Sequence, residues 1–232
     1  MIECFTWPTP NGHKVHIMLE ETGLPYKVIP INIRAGEQFT PEFLAVSPNN
    51  RIPAIRDPKG PGGKPLELME SGAILIYLAG KTGKFLPKSD REKYLALQWI
   101  MFQMGGVGPM MGQAGHFTGN AAPERIEYAI NRYTSEVKRL HGVMDKHLAE
   151  NAYFAGKEYS IADMAIWPWL RASDRYLQWS DFEHVKRWFD KIAERPAVQR
   201  AVTVLADKVA PAGTYDAKAR EILFGAKQFE KR

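Results

Sequence analysis

Short apolar runs alternate with helical periodicity over residues 1–81. The run at 2–6 is typical of a strand, and after two prolines Val15, Met18 and Leu19 recur at helical spacing. The same pattern predicts further elements in order: a helix end at Gly23, a strand at 26–33, a short helix at 41–44 behind an N-cap at Thr40, strands at 52–55 and 66–69, and a helix from 71. This β-α-β-α-β-β-α order predicts a small mixed sheet with helices on its faces.

Beyond residue 90 the strand patterns stop and helical periodicity takes over. An apolar helix is expected at 94–102, interrupted by the glycine-rich stretch 105–109, and a motif at 160–163 that resembles a capping box starts a later helix. The clearest stripe has apolar residues at intervals of three and four: Ile126, Ile130, Tyr133, Val137, Leu140, Met144 and Leu148. The second half is therefore predicted to be an all-α bundle.

Composition narrows the class of protein. The chain has 232 residues, of which 45% are hydrophobic and 25% charged, as in soluble globular proteins. Its single cysteine excludes an internal disulfide and fits a reducing compartment. The formal net charge of +5 is dispersed among acidic residues, so we expect no nucleic-acid partner. The sequence has neither a signal peptide nor an apolar run of about 18 residues, which predicts a cytoplasmic protein without a membrane partner. His13 and His16 lack a matching acid or cysteine cluster, so no metal site is expected.

Two short motifs carry candidate binding chemistry. Thr9 and Asn11 lie at the predicted start of the first helix, where unpaired main-chain N–H groups and the helix dipole stabilise anions, including a thiolate. A cis peptide bond before Pro53 would present the main chain of Ile52 to an extended ligand. The tripeptide alone favours a trans bond, because only about 5–6% of X–Pro bonds are cis.

Two further positions each have a functional and a structural interpretation. At the start of a predicted helix, Ser71 and the N–H groups above it could hold a carboxylate while Glu70 receives an ammonium group. The pair alone favours simple helix capping beside a solvated acid. Cys4 could act as a nucleophile, but its position early in a central strand favours a small buried hydrophobic residue.

The order and spacing of these motifs resemble the cytosolic glutathione transferase superfamily over residues 1–205. More narrowly, the chain is similar to the bacterial nu class, whose members are glutathione-dependent disulfide-bond reductases. The stretches that carry the resemblance are PTPNGHK at 8–14, QF at 38–39, SPNNRIPAI at 47–55, ESGAI at 70–74 and GPMMGQ at 108–113. The resemblance implies a thioredoxin-like glutathione-binding domain at 1–81, a linker at 82–90, an all-helical domain at 91–205 and a C-terminal extension at 206–232.

The resemblance also assigns the sulfur end of a glutathione site. Thr9 and Asn11 would contact the sulfur, and Ile52 would pair main chain to main chain with the cysteinyl group beside cis-Pro53. Lowering a thiol pKa from near 8.5 by about two units requires about 2.7 kcal/mol. A helix terminus supplies about 0.3–1 kcal/mol at an exposed site, and a charge-assisted hydrogen bond about 1.5–3 kcal/mol. The dipole and a side-chain donor together are therefore sufficient.

The remaining family positions concern the two ends of the tripeptide and a second subunit. By resemblance, Glu70 and Ser71 would hold the γ-glutamyl end, and Gln38 and Arg51 the glycyl end or its surroundings. Arg132 would reach a glutathione bound in the partner subunit, which implies a homodimer. Arg132 also has the simpler interpretation of a surface arginine beside the apolar stripe.

The resemblance implies glutathione-dependent disulfide-bond reduction by bound glutathione thiols, with no cysteine nucleophile from the protein. A second interpretation is conjugation of glutathione to electrophiles or reduction of organic peroxides at the same site. A third is a non-catalytic glutathione-binding regulatory module, because one fold hosts several functions. The expected ligands are thus glutathione, reduced or as its disulfide, and a small disulfide, peroxide or electrophile.

Overall fold

The computed structural model describes residues 1–119, 121–208 and 215–230. The first part contains β1 (Ile2–Thr6), α1 (Pro10–Thr22), β2 (Tyr26–Pro30), α2 (Pro41–Leu44), β3 (Ala54–Asp57), β4 (Leu66–Met69) and α3 (Ser71–Thr82). The four strands form one mixed sheet in the order β2-β1-β3-β4, in which only the β1–β2 pair is parallel. This is the predicted β-α-β-α-β-β-α order.

Local signals explain where α1 begins and ends. Thr9 is its N-cap, and Thr9 Oγ1 accepts a hydrogen bond of 3.2 Å from the Gly12 main-chain N–H. A Cβ atom at Gly12 would lie 2.2 Å from the Trp7 carbonyl oxygen, so only glycine fits beneath the turn. Gly23 ends the helix with a φ of 71°, a conformation that glycine adopts without strain.

Two predicted strands differ from those observed. β2 ends at Pro30, three residues early, because Asn32 turns the chain by accepting hydrogen bonds at Oδ1 from the N–H groups of Arg34 and Ala35. β3 starts at Ala54 and not at residue 52. The Ile52–Pro53 bond before it is cis, so the trans bond favoured by the tripeptide alone was wrong. The cis bond implied by the family resemblance is present.

The second part is helical. It contains α4 (Asp90–Phe102), α5 (Gly108–Thr118), α6 (Glu127–Glu150), α7 (Ile161–Leu170), α8 (Glu183–Ala193), α9 (Pro196–Thr203) and α10 (Ala217–Phe224). The interruption predicted at 105–109 takes the form of a π-helical turn, Gln103–Val107, which follows the end of α4 at Phe102 and joins it directly to α5. At Gly108 a Cβ atom would lie 2.7 Å from Gln103 Nε2, so glycine leaves room for the Gln103 side chain where it now lies. Not one of the described helices combines the length and the apolarity needed to cross a membrane.

Helix α7 is the centre of the helical part, and Trp169 is its only residue that is not fully buried. The predicted capping box is present: Asp163 accepts hydrogen bonds from the main-chain N–H and the hydroxyl of Ser160, at 2.9 and 3.0 Å. The same carboxylate accepts from the Phe154 N–H and from Trp188 Nε1. Burial raises the pKa of Asp163 to about 6, although these donors act in the opposite direction.

Helix α1 connects the two parts of the chain, because it packs against α3 on one side and against α7 and α9 on the other. Glu21 accepts two hydrogen bonds from the Arg195 guanidinium at 2.5 and 2.9 Å, and Glu20 accepts one from Arg200 at 2.7 Å. The side chain of Glu21 is only 7% exposed, so that pair is screened less than a surface ion pair.

The C-terminal residues return to the first part of the chain. Arg34 lies over the ring of Tyr215, with 5.4 Å between the guanidinium carbon and the ring centroid. On α10, Ile222 is buried and Phe224 contacts the ring of His116 on α5. Of the extension expected at 206–232, positions 209–214 and 231–232 lie outside the described residues.

Candidate active site

Six of the predicted site residues surround one cleft of about 150 Å³ between the two parts of the chain. The start of α1, the cis-proline segment, the start of α3 and the π-helical turn form its walls. Its lining residues are Asn11, Ser47, Asn49, Arg51, Ile52, Pro53, Met69, Glu70, Ser71 and Met104. The cleft therefore joins three segments that are far apart in sequence and that were singled out for separate reasons, namely the start of α1, the cis-proline segment and the start of α3.

Thr9 and Asn11 present donors at the start of α1. Because Thr9 Oγ1 accepts from Gly12 N, its hydroxyl proton remains available for a ligand. Asn11 Oδ1 accepts a hydrogen bond of 2.9 Å from Trp169 Nε1. An indole N–H only donates, so this bond fixes which end of the Asn11 amide is oxygen. The NH₂ group is then the donor that Asn11 can offer to an anion in the cleft.

The cis-proline segment offers main chain to the cleft. Ile52 precedes β3, so its N–H and C=O groups take no part in the sheet ladder. Ser47 holds the segment from below, since its hydroxyl donates to the Arg51 carbonyl oxygen at 2.8 Å. Asn50 has a φ of 47° and its side-chain oxygen accepts from Arg51 Nη1, which turns the chain sharply before the cis bond. An extended peptide can pair with Ile52 as with an edge strand.

At the start of α3, the prediction that Ser71 caps the helix was wrong. Glu70 occupies the N-cap position, with a φ of 69° and a ψ of 111°, and Ser71 is the first helical residue. Positive φ is rare outside glycine and is typical of functional sites. The Glu70 side chain forms no capping hydrogen bond, so no side chain caps α3 among the described residues. The first N–H groups of α3 therefore remain available to an anion.

Lys14 is the site residue to which the sequence assigned no role. It is 1% exposed on α1, and its Nζ lies 3.3 Å from Ser71 Oγ and 3.6 Å from Met104 Sδ. The same ammonium group donates to Gln103 Oε1. Burial lowers the pKa of Lys14 to about 7, and the charge of Glu70 acts against that shift. The sequence signal that could have identified Lys14 is its position in the predicted first helix among residues that are buried.

Thr9 caps α1 two residues before Asn11 and does not itself line the cleft, and three other candidates also lie outside it. Gln38 is 2% exposed, and its Oε1 has no hydrogen-bond partner within the described part of the chain. Arg132 lines a separate groove between α5 and α6, together with Met110 and Tyr128. Cys4 is completely buried in β1, where burial raises the pKa of its thiol to about 12. That cysteine cannot act as a nucleophile without unfolding of the sheet around it.

A second, larger cavity of about 590 Å³ lies on the other side of the α1 turn. Pro10 and Trp169 form its inner wall, so the Thr9–Asn11 turn separates the cleft from this cavity. Its other lining residues come from α5 and the loop that follows it, from the segment after α7 and from the C-terminal residues: Met111, Gly112, Gly115, His116, Thr118, Gly119, Ala121, Ala172, Arg175, Tyr176, Tyr215 and Phe224. The cavity is wide enough for a small organic molecule.

Comparison with known proteins agrees with this geometry. Residues 9–81 match the glutathione S-transferase N-terminal domain, and residues 107–196 match the glutathione S-transferase C-terminal domain. Disulfide-bond oxidoreductase YfcG of Escherichia coli is 49% identical over 204 residues, 87% of this chain and 94% of that protein. Disulfide-bond oxidoreductase YghU of the same organism is 43% identical over 213 residues, 86% of this chain and 73% of that protein.

Solved structures of glutathione transferases are similar to this chain in fold as well as in sequence. A glutathione transferase family member from Pseudomonas fluorescens, crystallised with two glutathione bound, has a TM-score of 0.82 and 48% identity, and the match covers 87% of this chain and 92% of that one. A glutathione transferase from Pseudomonas putida, with one glutathione disulfide bound per subunit, has a TM-score of 0.84 and 46% identity over 88% and 91% of the two chains. With its thioredoxin-like first part and its helical second part, the chain belongs to the glutathione transferase family of enzymes.

Proposed function

We propose that the protein is a glutathione-dependent disulfide-bond reductase that uses the thiols of bound glutathione. The burial of Cys4 carries this proposal, because the only cysteine in the chain is 0% exposed and lies in the sheet. A thiol exchange enzyme without an accessible cysteine has to take its sulfur from a ligand. The names of two relatives at 49% and 43% identity support disulfide chemistry.

Glutathione is proposed to lie extended along the cleft. Its sulfur meets the donors of Thr9 and Asn11, its cysteinyl main chain pairs with Ile52 beside Pro53, and its γ-glutamyl end lies against Glu70 and Ser71. Gln38 and Arg51 are proposed for the glycyl end or its surroundings. The position of Asn11, Ile52, Pro53, Glu70 and Ser71 around one cleft supports this arrangement.

The reaction needs a thiolate at neutral pH and two thiols in sequence. One bound glutathione thiolate attacks a sulfur atom of the substrate disulfide, which releases the first substrate thiolate and forms a mixed disulfide. A second glutathione thiolate attacks the glutathione sulfur of that mixed disulfide, forms glutathione disulfide and releases the second substrate thiolate. Both substrate thiolates then take up a proton. Two glutathione molecules bound in the P. fluorescens relative support a site with room for both thiols.

We further propose a nu-class homodimer with the domain division 1–81, 82–90, 91–205 and 206–232. Large apolar side chains on α4 and α6 support a partner surface, because Tyr94, Met101 and Tyr128 are 67%, 59% and 75% exposed. Arg132 lies in the groove beside Tyr128. In a dimer formed through this surface, Arg132 is proposed to reach the glutathione of the partner subunit. A reducing compartment such as the cytoplasm supplies the glutathione that this chemistry consumes.

A second activity, glutathione conjugation or peroxide reduction, is favoured by the larger cavity beside the α1 turn. Its walls include the rings of Trp169, Tyr176 and Phe224, which suit an apolar electrophile. Both activities would use the same activated thiol, so they differ in the second substrate alone.

Steady-state turnover of three substrates by one preparation of the full chain tests the proposal. Glutathione is combined with bis(2-hydroxyethyl) disulfide, with cumene hydroperoxide or with 1-chloro-2,4-dinitrobenzene. We expect the highest kcat/KM with the disulfide. Preference for either other substrate would replace the reductase by the second activity. Tight glutathione binding without any turnover would indicate a regulatory binding protein.

A further inference from the structure

The buried ammonium group of Lys14 lies directly behind the start of α3. Its Nζ is within hydrogen-bond distance of Ser71 Oγ at 3.3 Å, and it also donates to Gln103 Oε1 in the π-helical turn. Both Ser71 and Met104, the residue that follows Gln103, line the cleft. Lys14 itself does not line it, so any effect on a ligand has to act through these neighbours.

The direction of these hydrogen bonds is fixed by chemistry. An ammonium group only donates, so Ser71 Oγ accepts from Lys14 and its own proton points elsewhere. The only other partner of that hydroxyl among the described residues is Met104 Sδ, at 3.8 Å. A thioether sulfur is a weak acceptor. A carboxylate in the cleft is a much stronger acceptor and would take the Ser71 proton instead.

The charge of Lys14 is only partly compensated inside the protein, by the nearby charge of Glu70. It forms no ion pair among the described residues, and its hydrogen-bond acceptors are neutral. A buried charge of this kind is unfavourable unless an opposite charge approaches it. The N–H groups at the start of α3 add partial positive charge on the same side of the cleft. An anion placed against Ser71 would therefore be stabilised by both.

We propose that Lys14 is a positioning residue for the α-carboxylate of the γ-glutamyl group of glutathione. It holds the Ser71 hydroxyl as a donor toward the cleft and supplies positive charge from behind Ser71. The cation that lines the cleft itself, Arg51, is proposed for the glycyl end. The inference rests on the proposed glutathione site. It adds a residue, on the sulfur-binding helix itself, that recognises the opposite end of the tripeptide.

A structural role for Lys14 gives a different expectation. Through Gln103 the ammonium group also connects α1 to the helical part of the chain, and loss of that bond alone would loosen the cleft for every ligand equally. The two roles are separated by a ligand that lacks only the α-carboxylate. In 4-aminobutyryl-cysteinyl-glycine the amino group, the chain length and the thiol are retained and that carboxylate is absent.

The test is calorimetric titration of the full-length protein and its Lys14→Met variant with glutathione and with this analogue. We expect Lys14→Met to raise the Kd for glutathione at least tenfold and that for the analogue less than twofold. In turnover with a disulfide, KM for glutathione should rise while kcat at saturation stays within about threefold. Lys81→Met is the matched control, because Lys81 on α3 pairs with Asp57 at 2.9 Å and does not line the cleft.

Equal loss for both ligands, or no loss for glutathione, overturns the role of Lys14 while the proposed reductase function stands. No binding of glutathione to the unmodified protein overturns both. If Lys14→Met does not fold, Lys14→Gln replaces it, since it keeps a donor for Ser71 and removes the charge. For that variant the loss is again expected to be selective for glutathione over the analogue, and an equal loss contradicts the proposal.

Discussion

The Trp169 indole donates a hydrogen bond of 2.9 Å to the side-chain oxygen of Asn11, across 158 residues of sequence. This bond joins the helical part of the chain to the first turn of α1. It orients the Asn11 amide so that the NH₂ group is left for the cleft, which lies beside it. Trp169 also forms a wall of the larger cavity, so one side chain touches both Asn11, the residue proposed to activate the thiol, and the space proposed for a second substrate.

Substitution of Asn11 is expected to reduce thiol activation. Asn11→Ala removes a donor to a thiolate, a contact of about 1.5–3 kcal/mol, which corresponds to about one to two pKa units. The pKa of the bound glutathione thiol, measured from thiolate absorbance at 240 nm against pH, should rise accordingly. Trp169→Phe keeps an aromatic ring at this position but loses the indole N–H that binds Asn11. We therefore expect a smaller rise of the thiol pKa in this variant. An unchanged thiol pKa in Asn11→Ala would exclude Asn11 from the sulfur site.

Removal of the cysteine is expected to leave the reaction intact. Cys4 is buried and its thiol pKa is raised to about 12, so Cys4→Ala should retain most disulfide-reductase activity, with a stability loss of about 1 kcal/mol. Thr9→Ala should lose most of the activity and also the helix cap, which is worth about 0.5–2 kcal/mol. Thr9→Ser keeps both the cap and the hydroxyl donor and serves as the control. Loss of turnover in Cys4→Ala would mean that the protein supplies the sulfur.

The C-terminal residues are expected to affect the second substrate and not glutathione. Phe224 lines the larger cavity beside His116, so Phe224→Ala should raise KM for 1-chloro-2,4-dinitrobenzene several-fold and leave KM for glutathione unchanged. Phe229 provides a matched control in the same segment, because it is 84% exposed and does not line the cavity. Steady-state rates with each substrate varied in turn distinguish the two. Equal effects of the two variants would remove the C-terminal residues from the site.

Stability is expected to fall as the pH is lowered from 7 to 5. Burial lowers the pKa of His13 to about 4, of His16 to about 3 and of His141 to about 4. Between those values and the ordinary pKa of about 6.5, the unfolded chain binds more protons than the native one. Each histidine therefore lowers the free energy of unfolding by about 2 kcal/mol at pH 5 relative to neutral pH.

Asp163 acts in the opposite direction. Because its pKa is raised to about 6, the native state binds more protons than the unfolded chain between about pH 4 and pH 6. This raises the free energy of unfolding by about 1.4 kcal/mol at pH 5. Three histidines against one carboxyl group leave a net loss of stability in acid. Urea unfolding at pH 7 and pH 5 measures it, and a free energy of unfolding that rises toward pH 5 would contradict the neutral, buried state of these histidines.

Features set by neighbouring residues could be predicted from the sequence. The bounds of β1, the Thr9 cap, the end of α1 at Gly23 and the Ser160 capping box all follow from residues within one or two turns. Each depends on local hydrogen bonds or on the conformation of a glycine, and a single sequence predicts both from the residue types at those positions.

Features set by distant contacts could not be predicted in the same way. The cis bond before Pro53 contradicts the statistics of the tripeptide, because the surrounding fold selects the isomer. At Gln103–Val107 the glycines predict an interruption, because glycine weakens helices, but not its π-helical form. Lys14 and Trp169 gained a role only when the fold brought each beside a partner at least 57 residues away.

The ion pair between Glu21 and Arg195 has a consequence for the speed of exchange chemistry. It fixes the far end of α1 to α9, while the near end of the same helix carries the Thr9–Asn11 turn. The donors proposed for the sulfur are thus held in place before any ligand arrives, and we expect little conformational freedom to be lost when glutathione binds. In-line attack of one sulfur on another requires such alignment, and in the proposed reaction folding would supply it in advance of each catalytic cycle.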